Sequence, residues 1–508
     1  MYAARIILVA LLALMTNLKY PDTKRDAVVD DVHGVKIPDP YRWLEDASRP
    51  EVKAWMASED KLARGFLSQL PGRDKLAARL KELFYLESVS PPYHVGGRYF
   101  YMRRHKDKEK AVLYWKEGPK GEERVLLDPN TLSADGSTAL GVWVPSWDGK
   151  TLVYGLKPNN SDETILHVMD VATGKVSETD VIAGGKYAQP SWTPRGDGFY
   201  YIWLPPVSDA VTPAERPGFA ELRFHALGSD PAKDPVVHEK TGNPETFLAG
   251  AASKDGHWLV ATVMHGWNAS DVYFRDLRKH DDPWHPLVVG KPFIYYVDVH
   301  KDVFYVTTNE EAPRWRMLRV DPQKVDRKSW REIVPERKDV VIEAANVLGG
   351  HLMLRTLKNA SSGLEVRDLH GKLVRDVALP GIGTIPAVVG DEDDDEAYFS
   401  FVSFTTTPRS FKTSMKHGGL ELFYEVKVPI DATPYTVEQV WYPSKDGTRI
   451  SMFVVRKKDM PKNGTTPFLL TGYGGFQVPM TPQFSASIFP WLDAGGGYAV
   501  PNLRGGGE

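Results

Sequence analysis

At 508 residues the chain is too long for one compact core, so two or more domains, or a repeat array with an attached domain, are expected. Its 42% hydrophobic and 25% charged content is that of a soluble globular protein, and a net charge of −3 leaves no basic excess for nucleic acid. With no cysteine, disulfides, thiolate metal sites and a cysteine nucleophile are excluded. The 14 Trp, 22 Tyr and 20 Phe suit a sheet-rich chain, because flat rings pack well on pleated surfaces.

In chain order, Arg5 precedes an apolar run from Ile6 to Met15 that is too short to span a bilayer as a helix. A basic start with such a core reads as a signal peptide, although Met15-Thr16-Asn17 is a poor cleavage region. A miscalled start or an incidental leader fits the same residues. Ser48-Arg49-Pro50-Glu51 then has the spacing of a capping box. Val52, Trp55, Met56 and Leu62 keep helical spacing, Pro71-Gly72 breaks it, and Leu76, Leu80 and Leu83 mark a second helix.

From about residue 85 to about 424 short strands alternate with polar turns. Ser146-Trp147-Asp148-Gly149 leads into Thr151–Tyr154, Ser253-Lys254-Asp255-Gly256 into Trp258–Val260, and Ser191-Trp192-Thr193-Pro194 into Phe199–Tyr201. Leu166–Asp170 and Met317–Asp321 are strands that end on aspartate. A turn, an aromatic strand and an Asp-ended strand recurring every 40–60 residues or so suit propeller blades, with room for about six to eight. Two β-sandwiches are the alternative.

Beyond about residue 438 the pattern changes again. Ile450–Arg456, Pro467–Leu470 and Tyr498–Val500 read as short buried strands, and the last two open into Gly472-Tyr473-Gly474-Gly475-Phe476 and Arg504-Gly505-Gly506-Gly507. Buried strands followed by glycine loops suggest the sheet of an α/β domain. Neither loop has a nucleotide-binding pattern. Glycines there allow backbone N–H groups and a tyrosine hydroxyl to approach a reacting carbonyl, the requirement of an oxyanion hole. No metal site is expected: His238-Glu239 lacks a second histidine at zincin spacing, and Asp391–Glu396 lacks calcium-loop spacing and reads as a solvated turn between blades. No G-x-S-x-G occurs, and no Ser-His-Asp set can be chosen from the 14 scattered histidines.

Several of these stretches carry a family resemblance. Pro38-Asp39-Pro40-Tyr41-Arg42-Trp43-Leu44-Glu45, His105–Glu109 with Leu113-Tyr114-Trp115, Leu126–Asn130, Gly472–Phe476 and Asn502–Glu508 resemble, in order, motifs of the prolyl oligopeptidase family of serine peptidases. The resemblance implies a mostly β chain: a seven-bladed β-propeller followed by the first strands of an α/β-hydrolase domain. It divides the chain into a leader (1–19), a helical segment that packs with the hydrolase domain (20–84), the propeller (85–425) and an incomplete hydrolase domain (426–508).

It also implies cleavage of short peptides on the carboxyl side of proline, with Tyr473 stabilising the oxyanion and Phe476 walling the proline pocket. Relatives that cleave after Lys or Arg have Ser-Tyr where this chain has Gly475-Phe476, which favours proline. Thr471 stands where tyrosine is common. The nucleophile, aspartate and histidine are expected beyond residue 508, so this chain alone is expected to be inactive. A non-catalytic propeller serving as a binding or scaffold module is the alternative. No cofactor is expected. The partners expected are short proline-containing peptides and not nucleic acid, with the chain a monomer. The leader implies a periplasmic or secreted protein, and a cytoplasmic one is the alternative.

Overall fold

A computed structural model describes residues 18–507, so the apolar leader Ile6–Met15 lies outside the described residues. The chain divides into two units, residues 1–81 and 82–508. In the first, strands Val29–Val32 and Val35–Pro38 pair across a two-residue turn. Both turn residues, His33 (φ +53°) and Gly34 (φ +82°), are left-handed, which matches the twist of a hairpin. The Pro38–Glu45 signature has a local structural role. Arg42 pairs with Asp39 (2.6 Å) and Asp30, and buried Trp43 donates to the Lys24 carbonyl (3.0 Å) and meets Trp55 edge-on.

Helix α1 (Pro50–Leu67) starts with proline in its first turn, where the missing N–H is no loss. The expected capping box does not form. Arg49 is the N-cap without a side-chain bond, and the Ser48 hydroxyl donates instead to Asp46. Helix α2 follows over Arg73–Phe84.

In the second unit, seven consecutive antiparallel sheets span 88–127, 139–182, 191–238, 246–288, 295–334, 341–376 and 388–425, here blades 1 to 7. Blades 2 to 7 have four strands, each beside its sequence neighbour, and in the five-stranded blade 1 both Ser88–Val89 and Tyr93–Val95 pair with Arg98–Arg104. The polar turns are built alike. In Ser146–Gly149 and Ser253–Gly256 the serine hydroxyl donates to the aspartate (2.6 Å in both) and the glycine N–H bonds back to the serine carbonyl (2.8 Å in both). Gly149 (φ +69°) and Gly256 (φ +70°) supply the left-handed step.

Apolar clusters join each blade to the next from 1 through 7. Trp192 and Phe199 sit between blades 2 and 3, Trp258 and Phe304 between 4 and 5, Phe399 and Met353 between 6 and 7. A fully buried ring of this kind contributes about 2–3 kcal/mol. The junction of blade 7 with blade 1 is made by polar side chains: His94 pairs with Asp394, the Tyr99 hydroxyl donates to Glu396 (3.0 Å), and the Tyr424 hydroxyl to the Glu87 carbonyl (3.3 Å).

This corrects the reading of Asp391–Glu396 as a solvated turn between blades. The run turns within blade 7, between Val388–Gly390 and Glu396–Phe401, and faces inward. Lys254 of blade 4 donates to Asp391 (2.5 Å) and Asp393 (2.8 Å). The Gly349 and Gly350 N–H groups of blade 6 bond the carbonyls of Asp391 and Glu392 (3.0 and 2.8 Å). His300 Nδ1 of blade 5 lies 3.1 Å from Glu392, at ion-pair distance but off hydrogen-bond geometry. Charges were taken as a mark of solvent, but these are matched across the ring.

After the blades, strands β1 (Tyr435–Pro443), β2 (Arg449–Lys457), β3 (Phe468–Leu470) and β4 (Gly497–Pro501) form one sheet in the order β1-β2-β4-β3. β3 and β4 are parallel, joined through the short helix α3 (Phe489–Asp493). Phe453, Val455, Phe489, Leu492 and Val500 form its core. β3 was expected to be buried and is not, with Phe468, Leu469 and Leu470 46%, 48% and 63% exposed. It is an edge strand, with the parallel β4 as its neighbour. Blades 6 and 7 are rooted in this sheet. Ala360 and Phe404 enter its core, Thr384 donates to the Pro482 carbonyl (2.6 Å), and Gln439 to the Asn359 carbonyl (2.6 Å).

Candidate active site

The two glycine loops leave the ends of the parallel strands β3 and β4 side by side. Tyr473 bridges to Asn502 and Gln477 to Gly506, and the Gln477 N–H donates to the Gly505 carbonyl (2.8 Å). Asn502 is 3% exposed and locks the pair. Its N–H and side chain bond Ser451 (2.9 and 3.1 Å), and its Oδ1 accepts from the Met480 N–H (3.0 Å).

The glycines serve this contact. A Cβ on Gly474 would lie 2.8 Å from the Arg504 carbonyl oxygen, and one on Gly505 (φ +99°) 2.9 Å from the Gly475 nitrogen. Arg504 in turn pairs with Asp446 in the β1–β2 turn. That bond, with the Thr448 N–H, holds the Asp446 carboxyl down at about 2.

The loop over 472–478 thus has its backbone fixed and its side chains outward. Tyr473 and Phe476, both expected at the site, are 47% and 59% exposed, with ring centroids 6.4 Å apart. Among the described residues the Tyr473 hydroxyl has no hydrogen-bond partner, so it is free to donate to a ligand. Phe476 and Gln477 border a cavity of about 420 Å³ whose other wall is the propeller: Phe247, Met264 and Trp267 of blade 4, Tyr296 and Trp315 of blade 5, Glu343 of blade 6. Tyr296 and Trp315 stack (5.5 Å, 11°). Burial pushes the Glu343 carboxyl up, against the pull of Arg355 at 3.1 Å. Such a wall suits an apolar ligand with one polar anchor.

The cavity continues into the propeller channel. Tyr296 and Glu343 also line a second cavity with Asp298 and Asn346, and these line a third with Lys254 and Asp391. The innermost strands Thr246–Ala252, Tyr295–His300 and Val341–Leu348 run from the Phe476 end to the Lys254 end. At about 3.3 Å per residue, that is roughly 20 Å of channel.

Residues 21–426 match the prolyl oligopeptidase N-terminal beta-propeller domain. The chain belongs to the prolyl oligopeptidase family. It is 32% identical over 494 residues to the prolyl endopeptidase of Elizabethkingia miricola, in an alignment covering 97% of this chain and 69% of that protein. It is 31% identical over 492 residues to that of Elizabethkingia meningoseptica, with the same coverage. A solved structure from a study of inter-domain dynamics in two prolyl endopeptidases superposes with a TM-score of 0.93 at 51% identity, over 96% of this chain and 72% of that one. Prolyl oligopeptidase B of Galerina marginata, bound to a 25-residue macrocyclization substrate, gives 0.88 at 25% identity over 96% and 72%.

The propeller wall was not read from the sequence. Phe247, Tyr296 and Trp315 look like any other strand aromatics there. Trp267 did carry a signal: in Gly266-Trp267-Asn268 a tryptophan occupies a hairpin tip, where small polar residues are usual.

Proposed function

We propose that this chain supplies the propeller and the oxyanion-and-pocket loop of a serine endopeptidase that cleaves short peptides after proline. The observation that carries the reading is the placement of Tyr473 and Phe476. One glycine-fixed loop holds both side chains out, 6.4 Å apart, over a cavity roofed by the propeller. In that reading the Tyr473 hydroxyl donates to the carbonyl oxygen as it gains charge, and the Phe476 ring packs on the pyrrolidine of the residue before the scissile bond. The propeller limits substrates to peptides narrow enough to reach the cavity. The nucleophile, its histidine and the aspartate come from sequence corresponding to the part of the relatives that this chain does not match.

Two measurements test this. The 508-residue chain should neither hydrolyse a proline-linked chromogenic peptide nor react with a serine-directed phosphonate, and covalent labelling of one of its serines would overturn the division of labour. In an enzyme with the complete catalytic domain, Tyr473→Phe should lower kcat about 10²–10³-fold with little change in KM, as loss of one oxyanion donor does. An unchanged kcat would remove Tyr473 from that role.

A further inference from the structure

Phe476 and Gln477 both hold left-handed backbone, φ +55° and +59°. Two successive non-glycine residues in that region persist only where their surroundings fix them. The hydrolase loop fixes the backbone, through Gln477 N–H to Gly505 (2.8 Å) and Val478 N–H to Gly475 (3.0 Å). On its own loop the aromatic neighbour of the Phe476 ring is Tyr473, at a loose 6.4 Å that orients the ring weakly.

The ring's other contact comes from the propeller. Strands Trp258–His265 and Ala269–Asp276 of blade 4 are joined by Gly266-Trp267-Asn268, and Gly266 (φ +55°) turns the tip so that Trp267 projects, 56% exposed. The indole meets Phe476 edge-on, centroids 5.6 Å apart and planes at 67°. The Trp267 carbonyl accepts from Gln477 Nε2 (3.3 Å). Behind Trp267 stands Phe247 (6.5 Å), and behind that Tyr187 (6.0 Å). A row of rings therefore runs from the propeller wall through Trp267 to Phe476 and Tyr473.

This contact is unlike the one made by blades 6 and 7. There Ala360 and Phe404 are buried in the hydrolase core, whereas at blade 4 two exposed rings and one long hydrogen bond touch. The first joint is buried, and the second is an exposed contact. We infer that Trp267 is a positioning residue: it holds the Phe476 ring in the orientation that receives proline, so the pocket is complete only while blade 4 rests on the loop. The inference builds on the proposed role of Phe476 as the pocket wall.

The test uses W267A, W267F and F476A in the enzyme with its complete catalytic domain, and 4-fluorophenylalanine at position 476 for ¹⁹F NMR. Trp267 is an exposed tip residue, and W267F keeps a ring there should W267A destabilise the hairpin. The expected result is that W267A moves and narrows the fluorine resonance. KM for a proline-linked chromogenic peptide should rise about tenfold with kcat within about twofold, the mark of lost ground-state binding. W267F should recover most of both. If F476A raises KM and W267A does not, the inference alone is overturned. If F476A leaves KM unchanged, the pocket role of Phe476 fails and the inference falls with it. An unmoved resonance in W267A overturns it directly.

Discussion

The Lys254 ammonium of blade 4 lies 2.5 Å from Asp391 of blade 7, across the channel of the propeller. It also reaches Asp393 (2.8 Å) and sits over the Trp147 ring of blade 2 (5.6 Å). Burial alone lowers the affinity of this amine for its proton, but the two carboxylates outweigh burial and raise it. The same contact holds Asp393 below the ordinary carboxylate range. No strand is shared between blades 7 and 1 among the described residues, so this inward turn, tied to blades 1, 4, 5 and 6, closes the ring.

Lys254→Met should therefore destabilise the propeller. Removing one partner of a buried pair costs about 3–5 kcal/mol, and the 23% exposure of Lys254 reduces this to ~1–3 kcal/mol. The loss should concentrate at one place: hydrogen exchange should speed up in 391–396 and in the Tyr93–Val95 strand before the blade 2–3 region responds. Pairing it with Asp391→Asn should recover part of the loss, because the stranded charge is then gone. Uniform exchange across all blades would show that the turn does not hold the ring.

Asp298 lines the same channel, and burial raises its carboxyl to about 6, with Glu392 adding to the rise and the Val347 N–H (2.9 Å) and His300 opposing it. A carboxyl raised in the fold contributes stability that is full below pH 3.8 and is lost as pH climbs to about 6. Each pH unit of that rise is about 1.4 kcal/mol, and solvent in the channel cuts the total to ~1–2 kcal/mol. Asp298→Asn keeps the acceptor for Val347 and should stabilise the chain by that amount at pH 7.5 and far less at pH 4. Denaturant titrations at the two pH values decide it, and equal effects at both would place Asp298 in bulk-like solvent.

His225 is fully buried between blades 2 and 3, with Nε2 2.9 Å from Asp180 and Nδ1 3.0 Å from Asp234. Tyr201 donates to Asp234 (2.8 Å), and Ser177 and the Gly228 N–H to Asp180 (2.6 Å each). Both ring nitrogens face a carboxylate, so the imidazole bridges the two blades. His225→Ala leaves two buried carboxylates short of a partner and should cost about 3–5 kcal/mol. His225→Gln should recover little, since one amide cannot reach both. A melting temperature within a degree or two of the parent would exclude the bridge.

These predictions rest on contacts between residues far apart in sequence, and that separation sets what the sequence could tell. Strands such as Thr151–Lys157 and Trp258–His265 were legible because their turns are local: serine, aspartate and glycine bond one another within four residues. Tyr473 and Phe476 were expected at the site because Gly472–Phe476 resembles a family motif. Lys254 with Asp391, 137 residues apart, and Trp267 with Phe476 were not. Each side looks like an ordinary surface residue until the blades bring them together. The missing capping box has a local cause: the Ser48 hydroxyl donates to Asp46 two residues back, and the helix begins one residue later, with Arg49 as its N-cap.

Gly474→Ala tests the loop pair itself. A Cβ there would meet the Arg504 carbonyl oxygen at 2.8 Å and the Leu503 Cβ at 3.0 Å, and backbone cannot step aside as a flexible side-chain end can. A Cβ on Gly505 would be equally tight, 2.9 Å from the Gly475 nitrogen. Overpacking of this kind costs about 1–3 kcal/mol where the structure cannot relax. Here the loops are exposed, so separation is the cheaper response. The Gln477 N–H to Gly505 bond should open, and exchange at 472–478 and 502–507 should quicken together while the blades stay protected. If Tyr473 has the proposed oxyanion role, kcat of an enzyme with a complete catalytic domain should fall, because Tyr473 sits one residue from the change and a donor displaced by about 1 Å loses much of its effect. Exchange that quickens in only one of the two loops would mean that they are not fixed by each other.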